Sequence, residues 1–412
     1  LSAPAVGTIP ATMRHAPLAD AYATLLLVLC VLAFFSNSAL FLASTGRTPV
    51  APVAVLLAIA ALALPLMLLD SRRLLEVASP LGLWCLVTGC CAIAAYFESS
   101  QSEFAREALR DVFAGLGFVL LVRMLASRGE TGRVGIMAVR LCMFAGVALV
   151  LYDITHPLKL GRFVGRGSGL YLNPNIAGSA LLFGLVLTVG SVRPRWRAAY
   201  ALFVGVGVIA TLSRAAILCW VVVMAVLLFG RLLRWRSVLG ASLVTLALVA
   251  SPLLLPSVRE KADALASSGV LRQLLRLNVV STETRDTDVS VQARLQVTDE
   301  ALTLFRDNPL LGAGLGATGE WYLSESTHNM YLRHLAELGI LGLLLYPTAA
   351  LAAVGARPRR WNTQQVAFVA LWLLWGLFSH NVLNERAGLL ALALIGAIGV
   401  IGRAPADDVM TA

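Results

Sequence analysis

Four side chains in this 412-residue chain have the types and placement to do chemistry: Arg166, Arg214, Arg294 and His328. The three arginines stand on separate segments that the pattern of apolar runs predicts on one side of a membrane. A guanidinium is planar, matches phosphate oxygens and stays charged at any relevant pH. Three of them converging at a membrane edge suit a lipid diphosphate, whose charge lies at headgroup depth. Arg214 belongs to the turn Thr211-Leu212-Ser213-Arg214, between two apolar runs that leave little slack, with no acid close in sequence. An arginine there costs a few kcal/mol unless it is paired or faces water. His328 begins an apolar run next to a long polar segment. Imidazole titrates near neutrality and can take the proton of a hydroxyl nucleophile. The competing roles are snorkelling or pairing with Asp299 or Glu300 for the arginines, and packing for the histidine.

Around these stand secondary candidates. Lys159 and Arg162 share the outer segment 153–169 with Arg166, on the side where positive charge is normally scarce. Asn173 and Asn175 put polar groups at a membrane boundary, Asn329 adjoins His328, and His380 is expected at the outer end of the eleventh run. His334 is expected to pack. Gly312, Gly314 and Gly316 lack a preceding strand, a third spaced glycine and a P-loop lysine, so they read as a tight turn and not as a nucleotide loop. No His, Cys and carboxylate cluster has metal-ligand spacing, and no metal is expected. The six cysteines, Cys90 and Cys91 included, fall in apolar runs and read as packing residues.

These groups need elements to hold them. With 58% hydrophobic and 14% charged residues, the chain is not an ordinary soluble globule, which is about one quarter charged. A spanning helix needs roughly 20 mostly apolar residues. Such runs recur around 20–42, 50–69, 78–97, 110–127, 134–152, 170–190, 197–212, 214–230, 236–254, 330–354, 362–380 and 386–403. The expected fold is an all-α integral membrane protein of about twelve spans. Strand alternation is absent, which favours a helical bundle over an outer-membrane barrel. Residues 1–256 form spans one to nine, 257–329 an outer helical loop, and 330–412 the last three spans with a cytoplasmic tail. Within the loop, 258–278 reads as an amphipathic helix, lying on the membrane surface or packed on the outer end of the bundle, 281–290 as a turn-rich loop, and 291–307 as a helix ended by Asn308-Pro309.

The net charge of +10 could suggest nucleic acid, but its placement argues for a membrane. Arginines fill every second connection: Arg72 and Arg73; Arg128 and Arg133; Arg193, Arg195 and Arg197; Arg231, Arg234 and Arg236; Arg357, Arg359 and Arg360. The positive-inside rule puts these links, and both termini, in the cytoplasm. The long loop then lies outside, and no nucleic-acid partner is expected.

Several runs together closely resemble the O-antigen ligase and O-antigen polymerase superfamily. They are Ala293-Arg294-Leu295, Asn308-Pro309-Leu310-Leu311-Gly312-Ala313-Gly314-Leu315-Gly316, His328-Asn329-Met330-Tyr331-Leu332 and Glu337-Leu338-Gly339-Ile340-Leu341-Gly342, with Gly169-Leu170-Tyr171-Leu172-Asn173-Pro174-Asn175 and Thr211-Leu212-Ser213-Arg214 before them. The resemblance implies a GT-C-type membrane glycosyltransferase at the periplasmic face of a Gram-negative inner membrane. Its donor would be an undecaprenyl-diphosphate-linked O-antigen and its acceptor a sugar hydroxyl of lipid A core, with neither metal nor nucleotide. It implies essential roles for the arginine of the Ser-Arg turn, the arginine before the proline and glycine stretch, and the histidine of the His-Asn pair, which fall on Arg214, Arg294 and His328. The rivals are an O-antigen polymerase, a protein O-oligosaccharyltransferase and, in another class, a transporter of lipid-linked oligosaccharide. Protein transferases commonly carry a soluble domain after the last span, whereas this chain runs only about ten residues further. Polymerases typically have two large outer loops, and transporters related halves. The ligase is the expectation.

Overall fold

Where water is excluded, a helix satisfies its own N–H and C=O groups, and an apolar run without strand alternation coils accordingly. The computed structural model describes residues 16–156, 158–163, 165–250, 289–320, 327–355, 357–379 and 381–401. Its regular elements are all helical. The expected amphipathic helix 258–278, the loop 281–290 and His380 fall outside the described residues.

The helices are α1 (Ala16–Cys30), α2 (Ser38–Ser44), α3 (Pro52–Leu69), α4 (Pro80–Glu98), α5 (Glu103–Leu125), α6 (Gly129–Thr155), α7 (Pro174–Thr188), α8 (Arg197–Ala210), α9 (Arg214–Phe229), α10 (Trp235–Ala250), α11 (Val289–Asp307), α12 (Met330–Val354), α13 (Thr363–Trp375) and α14 (Arg386–Ile401). Each of the twelve apolar runs thus holds a helix. Among the described residues six helices are long and apolar enough to cross a membrane, and three shorter apolar helices lie in α9, α13 and α14. The central element is α7: 78% of its span is buried inside the bundle, against 22% for peripheral α3. It packs against α6, α8, α9, α13 and α14. Its Gly184 admits Met143 and Phe35, where a Cβ would meet a sulfur at 2.1 Å.

Two runs read as continuous spans are broken. The first, 20–42, passes through a π-helical turn at Val31–Phe35 and stops at Asn37, whose φ of 61° is left-handed. The Asn37 amide donates to the Leu170 carbonyl at 3.0 Å, so the break is held by tertiary contact. The second break is Gly339 in α12, with φ 63° and ψ −152°. A Cβ at Gly339 would lie 2.5 Å from the Leu310 carbonyl carbon, so a glycine permits the approach of the segment that follows α11. Ala313 N–H donates to Ala336 O at 2.7 Å and Ile340 N–H to Pro309 O at 3.0 Å, which uses backbone groups freed by the break. The helix expected over 291–307 is present as α11. The packing read for the cysteines holds for Cys30, Cys85, Cys142 and Cys219, which are buried; Cys91 is half-buried and Cys90 is exposed.

Candidate active site

The turn that carries Arg214 is built from its hydroxyls. Thr211 Oγ1 donates to Val208 O at 2.7 Å and accepts from Ser213 N at 3.2 Å. Leu212 takes a left-handed φ of 49°, and Ser213 caps α9 by accepting from Ala216 N at 3.4 Å. The chain reverses in one step, and Arg214 emerges exposed at the first position of α9.

Arg166 meets this turn from the outer segment. Its Nε donates to Thr211 O at 3.1 Å and its Nη2 to Asn175 Oδ1 at 3.1 Å, while the guanidinium carbon lies 5.9 Å from the Phe163 ring centroid. Burial pushes its pKa below the ordinary arginine value, yet a guanidinium remains charged. No carboxylate pairs with it among the described residues. The segment is pinned beneath by Asp153, a buried acid that accepts from Gly161 N at 2.8 Å, Ser168 N at 2.9 Å, Ser168 Oγ at 3.0 Å and Gly169 N at 3.2 Å. Gly167 N–H closes it onto Ala210 O at 3.0 Å.

His328 is half-buried with φ 46°, two residues before α12. Asn329 caps that helix, its Oδ1 accepting from Tyr331 N at 3.0 Å and Leu332 N at 3.2 Å. Met330 N–H donates to Gly376 O at 2.7 Å, which fixes the start of α12 on the end of α13. From there a buried hub reaches back to α7. Glu385 accepts from Ser179 Oγ at 2.7 Å, Ser379 Oγ at 2.8 Å and Trp375 Nε1 at 3.2 Å. Its burial raises the carboxyl pKa, against the pull of these three donors. Ser179 lies one helical turn beyond Asn175 on α7. The turn bearing Arg214, with Arg166 on it, and the His328 turn therefore belong to one end of the bundle, where Glu385 ties α7 to the end of α13.

The secondary candidates divide. Asn175 holds Arg166, whereas Asn173 and Asn329 spend their side-chain oxygens on helix caps. Lys159 and Arg162 are exposed on the outer segment and make no side-chain bond among the described residues. Arg294 lies on α11, which packs on α12 through buried Val297 and Ala301. His334 packs as expected, its Nδ1 3.2 Å from Gly342 O.

Three acid-centred arrangements escaped the sequence reading: Asp153, Glu385, and Glu337 with Arg333. Glu337 accepts from Thr318 Oγ1 and, at 3.2 Å, from Arg333 Nε, and Arg333 Nη1 reaches Asn381 Oδ1 at 3.3 Å. Glu337, Arg333 and Asn381 line a cavity of about 30 Å³ together with Thr88 and Asp111. The available signal was an acid at the edge of an apolar run, as in Leu151-Tyr152-Asp153-Ile154, or inside one, as in Ala336-Glu337-Leu338. Among the described residues no group of three or more His, Cys, Asp or Glu side chains could hold a metal ion.

Residues 198–346 match the family model of the O-antigen ligase domain, about a third of the chain and the part that bears Arg214, Arg294 and His328. No curated protein matches the chain.

Proposed function

We propose, from the premise that residues 198–346 form an O-antigen ligase family domain, that this chain is the ligase itself. It moves a glycan from undecaprenyl diphosphate to a sugar hydroxyl of lipid A core. The reading places about twelve spans in a bacterial inner membrane, both termini in the cytoplasm and the reaction at the periplasmic seam between the bundle and the segment 257–329. The observation that carries it is the fixing of Arg166, by the neutral oxygens of Thr211 and Asn175, beside the turn that presents Arg214.

Neutral acceptors orient a guanidinium without cancelling its charge. Arg214 stands at the start of a helix, where the backbone N–H groups and the dipole favour an anion. A diphosphate bound there would meet the helix start and the oriented guanidinium of Arg166. Arg294 closes on the same group from α11. His328 takes the proton from the acceptor hydroxyl, the freed oxygen attacks the anomeric carbon from the face opposite the diphosphate, and the carbon–oxygen bond to the phosphate breaks. The electron pair leaves with the diphosphate, where the arginines stabilise the charge that develops. The product is inverted at the anomeric centre.

The test supplies purified protein with a glycan on polyprenyl diphosphate and, in parallel, lipid A core, repeat-unit and peptide acceptors, without ATP or metal. Transfer to lipid A core supports the ligase. Extension of the repeat unit identifies a polymerase, glycosylated peptide a protein transferase, and movement across a bilayer without a new glycosidic bond a transporter.

A further inference from the structure

At the end of the bundle away from the candidate site, a cleft of about 290 Å³ opens between the starts of α8 and α13. Its polar wall includes Ser191, Arg197 and Thr363, and its apolar wall Ile136, Leu232 and Ile398. Arg197 is half-buried and anchored, its Nε donating to Val192 O at 3.0 Å and its Nη2 to Gly190 O at 3.1 Å. Arg140 donates to the carbonyl of Ser191 at 3.1 Å. Arg193 and Arg195 separate Ser191 from Arg197 in sequence, and Arg231 precedes Leu232; all three are exposed. Among the described residues none of these five arginines pairs with a carboxylate, and no acid lines the cleft. The positive-inside rule explains exposed arginines in a short link. It does not explain one that is half-buried and fixed in the wall of a cleft.

The depth of the cleft is marked by tryptophans. Trp196, next to Arg197, is 57% exposed and Trp235, at the start of α10, is 65% exposed; each ring lies under a neighbouring guanidinium, from Arg195 and Arg236 respectively. Exposed indoles of membrane proteins settle at headgroup level. Two helices also begin at the cleft, α8 at Arg197 and α13 at Thr363, and add the positive ends of their dipoles. At this depth a phosphate would meet the arginines and an attached acyl chain would run along the apolar wall. The volume is at the lower limit for a small-molecule pocket, roughly 300 Å³, and suits a headgroup.

We infer that this cleft binds the headgroup of an anionic phospholipid, with Arg197 as its anchored contact and Arg140, Arg193, Arg195 and Arg231 as its positive rim. Basic pockets between spanning helices recognise lipid headgroups in this way.

The experiment is native mass spectrometry of the delipidated full chain, titrated with phosphatidylglycerol, cardiolipin or phosphatidylethanolamine. Anionic lipid should be retained and the zwitterionic lipid lost. Each arginine removed should weaken anionic binding about fivefold. Arg193→Gln/Arg195→Gln alters only exposed side chains and keeps the test sound should Arg197→Gln fail to fold. Arg133→Gln, which removes a cation already paired with Glu130, should leave binding unchanged. The inference is overturned by equal retention of anionic and zwitterionic lipid, by an unchanged preference in the double variant, or by full displacement with inorganic phosphate, which would make the cleft a free-anion site. No glycan donor is present, so the outcome is independent of the glycosyl-transfer reading.

Discussion

Arginine is used in opposite ways in two parts of this molecule. Near the starts of α1 and α6, Arg73 is 1% exposed and meets Asp20 at 2.8 Å and Asp70 at 3.3 Å, while Arg128 contacts the same two acids at 2.9 and 2.8 Å. Two cations and two anions close on themselves, and Arg73 Nη1 also donates to Met124 O and Leu125 O at 3.3 Å. At the candidate site Arg166 is held as firmly, but by a carbonyl and an amide. The first arrangement consumes charge inside the fold and acts as a staple. The second orients a charge and leaves it on offer to a ligand. Under the proposed function, what distinguishes the structural Arg73 from the substrate-binding Arg166 is the formal charge of their partners more than their burial.

Breaking the site end should give the largest effect, and on activity alone. His328→Ala should lower glycan transfer by about 10²–10⁴-fold, the usual contribution of a general base, with an unchanged melting temperature in detergent. Transfer at the wild-type rate would remove His328 from the mechanism. Breaking the staple should do the reverse. Arg73→Ala leaves Asp20 and Asp70 facing each other with one cation, and should cost about 3–5 kcal/mol of stability, read as a lowered melting temperature, while the protein that remains folded keeps its KM for donor.

Arg166→Lys sharpens the contrast, since it keeps the charge and loses the planar fork. Hydrogen bonds to charged groups contribute about 1.5–3 kcal/mol, so donor KM should rise by about 10-fold or more with little change in melting. The smallest effect is expected for Asn175→Ala, which removes one acceptor from Arg166 and should raise donor KM by a few-fold, about 1 kcal/mol. If instead Asn175→Ala lowered stability as much as Arg73→Ala, the two ends would not differ in kind.

The turn that carries Arg214 was legible in the sequence, because two apolar runs with little slack between them force a tight reversal at Thr211-Leu212-Ser213-Arg214. That its hydroxyls cap the reversal is what the structure adds. The Asn308-Pro309 stop and the glycines that follow were readable for the same local reason, and Gly312, Gly314 and Gly316 all have positive φ. The acids were not legible. Arg73 reads as one more cytoplasmic cation until Asp20, 53 residues away, is seen beside it. Glu385 reads as an ordinary loop acid until Ser179, 206 residues away, donates to it.

The sequence by itself determined what depends on neighbours along the chain: the helical class, the apolar runs that each hold a helix, the stop at Asn308-Pro309, and the candidacy of Arg214, Arg294 and His328. The tertiary structure alone decided which charges are cancelled, that α12 is broken at Gly339 to seat the segment after α11, and that Arg166 lies on the Thr211 turn. Helix formation and capping are local, fixed within a turn or two. Charge pairing and the convergence of a site join residues far apart in the chain, and only the packing of the bundle brings them within a few ångströms.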